Sequence, residues 1–152
     1  MNSIVLIVAI IVVDQISKLA VRMFMIEGQS IDIINGFFAL CYYENTGVAF
    51  SFLHGQRMVV TVLQIVCMIL VAVFYYKFRG KSRIMDYALV LILAGGIGNL
   101  IDRLIFGSVT DMLSFSIFPP IFNVADIAVT VGCGLLILDI VLDMVNQKKE
   151  IK

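Results

Sequence analysis

Apolar residues in this chain fall in long unbroken blocks, and the polar positions gather between them. Four blocks, at about 3–24, 58–77, 84–106 and 121–144, are each near the ~20 residues that a helix needs to cross a bilayer core. Between the first two blocks lies a longer polar segment, about 25–57. Within it IDIIN, FFALCYY and VAFSF read as short β-type runs rich in Ile, Phe and Tyr, separated by NG and NTG turn signals. A small sheet lying on the membrane surface is expected there. The segment between the last two blocks, about 107–120, reads as a short link. It opens on Gly107 and closes on Pro119 and Pro120, which suit a helix start. The expected fold is an all-α integral membrane protein with four transmembrane helices and a small β insert between helices 1 and 2, in one domain over 1–152.

Composition strengthens that reading. The chain is 61% hydrophobic and only 14% charged, has no Trp, and has a mean hydropathy of +1.05, which excludes an ordinary soluble domain. No Lys or Arg precedes Lys18, and Asp14 with Lys18 interrupts the first block, so it reads as a retained span and not as a cleaved leader. The link KFRGKSR carries Lys77, Arg79, Lys81 and Arg83, and the tail carries Lys148, Lys149 and Lys152. Positively charged loops stay in the cytoplasm, so both termini are expected there, with the β insert outside. Cys41, Cys67 and Cys133 show no CxxC or Cys/His spacing, which supports neither a disulfide framework nor a zinc site.

Helix rise sorts the buried polar groups by depth. Asn99, Asp102 and Arg103 fall within roughly 10 Å of the outer end of the third span, and Asn123 and Asp126 within about 8 Å of the outer end of the fourth. Lys18 and Asp14 lie about 9 and 15 Å down the first. Asp14 with Lys18, Asn99 with Arg103, and Asn123 with Asp126 each share a helix face by spacing, and the cost of charge in lipid turns those faces inward. Gly95, Gly96 and Gly98 allow close helix approach beside this layer. Asp139 and Asp143, about 27 Å or more from the outer end, reach the cytoplasmic interface and are expected to be solvated. His54 is expected on an outer loop surface.

Asp111 and Asp126 stand apart from the other acids. The short turn between them brings one carboxylate from a loop and one from a helix start to the same layer, where two close carboxylates share a proton. Such a pair suits aspartyl proteolysis, one group activating water while the other protonates the carbonyl oxygen. No Ser/His/Asp set, HExxH or P-loop competes with it. Spacing alone leaves an aspartyl hydrolase level with a proton-coupled membrane carrier, and a non-catalytic membrane scaffold is a third possibility.

The blocks DQISK at 14–18, NTGVAF at 45–50, GNLIDR at 98–103, GSVTD at 107–111 and FNVAD at 122–126 together resemble lipoprotein signal peptidase, the type II signal peptidase family. The resemblance spans essentially the whole chain, in order. It implies an inner-membrane aspartyl endopeptidase of bacteria with four transmembrane helices and an extracytoplasmic β-cradle. It implies that the enzyme cuts prolipoproteins just before a diacylglyceryl-modified lipobox cysteine. By the same resemblance the catalytic pair is Asp111 and Asp126. Asp14, Lys18, Asn45, Gly47, Asn99, Arg103, Asn123 and Ala125 line or support the site. No metal or cofactor is implied, and the expected partners are prolipoproteins and membrane lipid, not nucleic acid. Phe37, Phe38, Tyr42, Tyr43, Phe50 and Phe52 are expected to cover the substrate or anchor the insert at the bilayer.

Overall fold

The computed structural model describes residues 3–47 and 57–150, with side chains in the last helix up to Gln147. His54, Phe50, Phe52 and the VAFSF run lie outside the described residues. Four helices account for most of the chain: α1 (Ser3–Phe24), α2 (Arg57–Phe78), α3 (Arg83–Phe106) and α4 (Val124–Glu150). Each is long and apolar enough to cross a membrane. Their outward faces carry exposed Ile, Val, Leu, Met and Phe, as a surface in contact with lipid does.

The third helix forms the axis of the bundle and packs against the other three. Small residues make this possible. A Cβ on Gly95 would lie 2.2 Å from the backbone oxygen of Ala125, and one on Gly132 of α4 would lie 2.7 Å from that of Ala88, so α3 and α4 meet nearly backbone to backbone. The third helix starts on Ser82, whose hydroxyl accepts from the backbone N–H groups of Ile84 and Met85. It ends on Gly107 at φ 76, where the left-handed conformation lets the Gly107 N–H return to the Arg103 carbonyl.

A four-stranded antiparallel sheet caps one end of the bundle in the order β1 (Ser30–Ile34), β2 (Phe38–Asn45), β3 (Val109–Phe115) and β4 (Phe118–Phe122). Val21 and Met25 at the end of α1 pack with Met112 of β3 beneath it. At the sheet's other end the rings of Phe37, Phe38, Phe115, Phe118 and Phe122 cluster, Phe115 stacking on Phe122 while Phe37 and Phe118 meet them edge to face.

Three expectations need correction. The fold is not all-α with one β insert, because half of the sheet comes from the segment expected to be a simple link. Residues Val109 to Met112 are buried on both faces, between β2 and the helix ends, so they lack the alternation that marks a half-exposed strand. Pro119 and Pro120 do not start the fourth helix. They sit in the edge strand β4 between the pairs Phe115–Phe118 and Leu113–Phe122, where the register shifts and neither proline has a ladder partner, and α4 begins at Val124 instead of 121. Asp139 does lie at the far end of the bundle, but it is buried and accepts a hydrogen bond from the Ser82 hydroxyl, which fastens α4 to the start of α3. Asp143 is exposed and bonds to Gln147.

Candidate active site

The site forms where the sheet meets the bundle, and the first turn of α4 organises it. The unpaired N–H groups that open any helix need partners, and here side chains supply them. The Asn123 Oδ1 accepts from the Asp126 N–H at 2.9 Å, while Asp126 Oδ2 accepts from the Asn123 N–H at 3.3 Å, a reciprocal capping box. Asp14 Oδ1 accepts from the Ala125 N–H at 2.9 Å. Ala125 is fully buried, and its small side chain lets the turn approach Gly98 of α3.

The second acid arrives on β3. Asp111 is 4% exposed, its Oδ1 accepts from Asn123 Nδ2 at 2.7 Å, and its Oδ2 accepts from Asn45 Nδ2 at 2.9 Å. The Asn45 amide is itself oriented, because its oxygen accepts from the Gly47 N–H at 3.0 Å. Asn123 therefore bridges both acids, capping Asp126 with its backbone and amide oxygen and holding Asp111 with its amide nitrogen. Burial pushes the Asp111 carboxyl up to about 7, with the Asp126 charge adding to the rise and the bonds from Asn45 and Asn123 opposing it.

Asn99 carries the network onward. Its Nδ2 donates to Asp126 Oδ1 at 2.8 Å and its Oδ1 accepts from Lys18 Nζ at 2.9 Å. The Lys18 ammonium, fully buried, also pairs with Asp14 Oδ2 at 2.8 Å and Asp102 Oδ2 at 2.9 Å, so all three of its N–H bonds are used. Gln15 braces the same group, donating to Asp14, Asp102 and the Gly98 carbonyl. Arg103 points elsewhere: it donates to Gln64 of α2 at 2.7 Å and to the Gly47 carbonyl at 3.1 Å, tying the end of β2 to the bundle.

Thus Asp14, Lys18, Asn45, Asn99, Asn123, Asp111 and Asp126 form one connected network, with Ala125 inside it and Gly47 and Arg103 at its edge. Sequence reasoning noted the depth of Asp102 but gave it no role, although it lies three residues from Asn99 on the same helix face. It gave no role to Gln15, Ser108 and Thr110, although they lie within the blocks DQISK and GSVTD, and it overlooked Arg22, Glu44 and Gln64. Of these, Arg22 had a signal, since it continues the i, i+4 series from Asp14 and Lys18. Among the described residues no group of three or more His, Cys, Asp or Glu side chains is placed to hold a metal ion. An open depression of about 350 Å³ lined by Asp32, Asn35, Ser114 and Ser116 lies on the sheet, away from both acids.

Four apolar helices capped by a sheet, with two bridged carboxylates at the junction, define a multi-pass membrane protein with an acidic centre at one end of its bundle. The chain belongs to the signal peptidase II family, whose model matches residues 6–142, and it is accordingly a protease. It is 38% identical over 146 residues to the lipoprotein signal peptidase of Pelotomaculum thermopropionicum, covering 96% of this chain and 95% of the relative. It is 42% identical to that of Halothermothrix orenii, covering 88% and 91%. Two solved bacterial membrane enzyme structures superpose on it, each at 32% identity. One gives a TM-score of 0.90 over 95% of this chain and 90% of the other, and the second gives 0.83 over 91% and 92%. Family membership sets aside the proton-coupled carrier and the non-catalytic scaffold.

Proposed function

We propose that this protein is an aspartyl endopeptidase of the bacterial cytoplasmic membrane. It removes the signal peptide from prolipoproteins by cutting before a lipobox cysteine that already carries diacylglyceryl. The observation that carries this reading is the Asp111–Asn123–Asp126 bridge, a pair of carboxylates from separate elements held together by one amide residue. With the Asp111 carboxyl near 7, the pair holds one proton between its members at neutral pH. The ionised member takes a proton from a water as that water attacks the scissile carbonyl, and the protonated member gives its proton to the carbonyl oxygen. Collapse of the tetrahedral diol breaks the C–N bond: the proton taken from water goes to the leaving amine nitrogen, and the carboxylate that gave its proton to the carbonyl oxygen takes one back from a diol hydroxyl as the product carboxyl forms, which restores the pair with its single proton. Asn45 and Asn123 fix Asp111, while Asn99 and Asn123 fix Asp126, so little reorganisation accompanies the reaction.

Physical access supports the substrate class. A signal-peptide helix and acyl chains approach sideways through lipid, and water approaches from the aqueous side, so a pair at the bundle end under a sheet meets both. The Lys- and Arg-rich link between α2 and α3 lies at the opposite end, which favours cytoplasmic termini and an extracytoplasmic site. The deciding experiment is cleavage of a diacylglyceryl-modified prolipoprotein peptide by purified protein. Asp111→Asn and Asp126→Asn should each lower kcat by about 10²–10⁴-fold, the usual worth of a positioned acid or base. Undiminished cleavage by either variant rules the mechanism out.

A further inference from the structure

Glu44 has no place in the mechanism above, yet it is among the most heavily bonded groups on the sheet. Its carboxylate accepts from Ser108 Oγ at 2.5 Å and from Thr110 Oγ1 at 2.9 Å. Tyr42 bonds to it as well, and Arg22 Nε of α1 approaches Oε1 at 3.7 Å. Arg22 completes a ring, donating from Nε to Thr110 Oγ1 at 2.7 Å, with Nη2 3.3 Å from Asp102 Oδ1 as an ion pair lacking a hydrogen bond. Its guanidinium lies over the Phe106 ring at 3.8 Å. Thr110, fully buried, also donates its N–H to Asp102 at 3.3 Å.

The register explains why this cluster matters to its neighbour. Leu40 pairs with Leu113 but Tyr43 pairs with Asp111, so β2 holds one extra residue and bulges around Cys41 and Tyr42. Both N–H and C=O of Tyr42 turn to the Gly28–Gln29 backbone. Beyond the bulge Glu44 lies opposite Thr110, while Asn45 lies on the face of Asp111 and reaches it diagonally. Without the extra residue the faces would exchange, bringing Glu44 to the side of Asp111 and taking Asn45 away.

We infer that the Glu44–Thr110–Arg22 cluster is the positioning device for the reacting acid: it locks β3 in register from the face opposite Asp111 and so holds that carboxylate against Asn45 and Asn123. Glu44 and Arg22 touch no reacting atom and act through Thr110, the residue next to Asp111. The inference rests on the catalytic reading of Asp111 proposed above. Asp111 is faced by Asn45 from β2, Asn123 just before α4, Asp126 from α4, Lys18 from α1 and Arg103 from α3. A loosened β3 weakens first its two amide bonds, which favour the charged form.

The test uses the full chain and the lipidated peptide. Glu44→Ala should lower kcat by about 10–100-fold, the cost of misplacing a reacting group by roughly 1 Å, with KM little changed. The alkaline limb of its pH–rate profile, where the pair loses its one proton, should move to higher pH. Glu44→Gln, whose amide oxygen can still accept from Thr110 while its NH2 donates to the Ser108 hydroxyl, should recover most of kcat. Thr110→Val keeps the β-branched shape and carries the same test if Glu44→Ala fails to fold. A lowered melting temperature with kcat and the alkaline limb unchanged overturns the inference, as does a Glu44→Gln no better than Glu44→Ala. Asp111→Asn runs alongside: if it still cleaves, the catalytic reading falls and this inference with it, whereas its loss beside a normal Glu44→Ala removes the inference alone.

Discussion

Asp111→Asn has a consequence for stability that is separate from catalysis, and its sign follows from the site. The Asp111 carboxyl is raised from 3.8 to about 7, chiefly by burial, so the folded protein binds a proton there that the unfolded chain gives up near pH 4. Stability from this group is fully present below pH 4 and is lost as pH rises through about 7. A rise of roughly three powers of ten in proton affinity, at about 1.4 kcal/mol each, amounts to about 4 kcal/mol across that window. Asn at 111 cannot titrate, yet its amide oxygen still accepts from Asn45 or Asn123. The assay is reversible unfolding in mixed micelles at a series of pH values for both proteins. The advantage of Asp111→Asn over the native chain should grow by about 4 kcal/mol from pH 4 to pH 8, most of it gained by pH 7. Taking the difference cancels the acids remote from the pair, which titrate alike in both proteins. A difference that stays flat with pH, or shrinks as pH rises, refutes the argument that burial holds the Asp111 proton.

Two further expectations concern the bundle. Gly95→Ala forces a methyl against the Ala125 carbonyl and should destabilise by about 1–3 kcal/mol in the same unfolding assay, whereas Gly134→Ala, with open space around it, should be neutral or raise stability by up to about 1 kcal/mol. Lys18→Met removes the cation shared by Asp14 and Asp102 and should cost about 3–5 kcal/mol, read as a lower unfolding midpoint at pH 7.

The spans were legible because lipid imposes a single strong constraint. The first helix runs from Ser3 to Phe24 as the hydropathy reading had it, the second is one residue longer than expected at each end, and the third starts one residue earlier. Depth counting likewise gathered Lys18, Asn99, Asn123 and Asp126 into one layer, since helix rise converts position directly into height. The sheet was half hidden. β3 is covered on both faces, and β4 contains two prolines, so neither presents the alternating pattern by which strands are recognised. The Glu44 cluster was invisible for another reason: its face assignment depends on a bulge near Cys41 and Tyr42, and no residue pattern there announces an extra residue. Asp139 shows the limit of depth alone, which set its height but not its rotation toward Ser82.

Asn123 gives the site an order of assembly. Both acids follow the first three helices along the chain, and the residue that links them also opens α4. The side chains that receive Asp126 and Asp111, among them Asn99, Lys18 and Asn45, are synthesised earlier and wait in the first helices and strands. Until α4 inserts and its first turn closes, Asp111 lacks Asn123 and Asp126 is absent, so a nascent or half-inserted chain carries no joined pair. On the proposed mechanism the protease is thus latent until its fourth helix is in place.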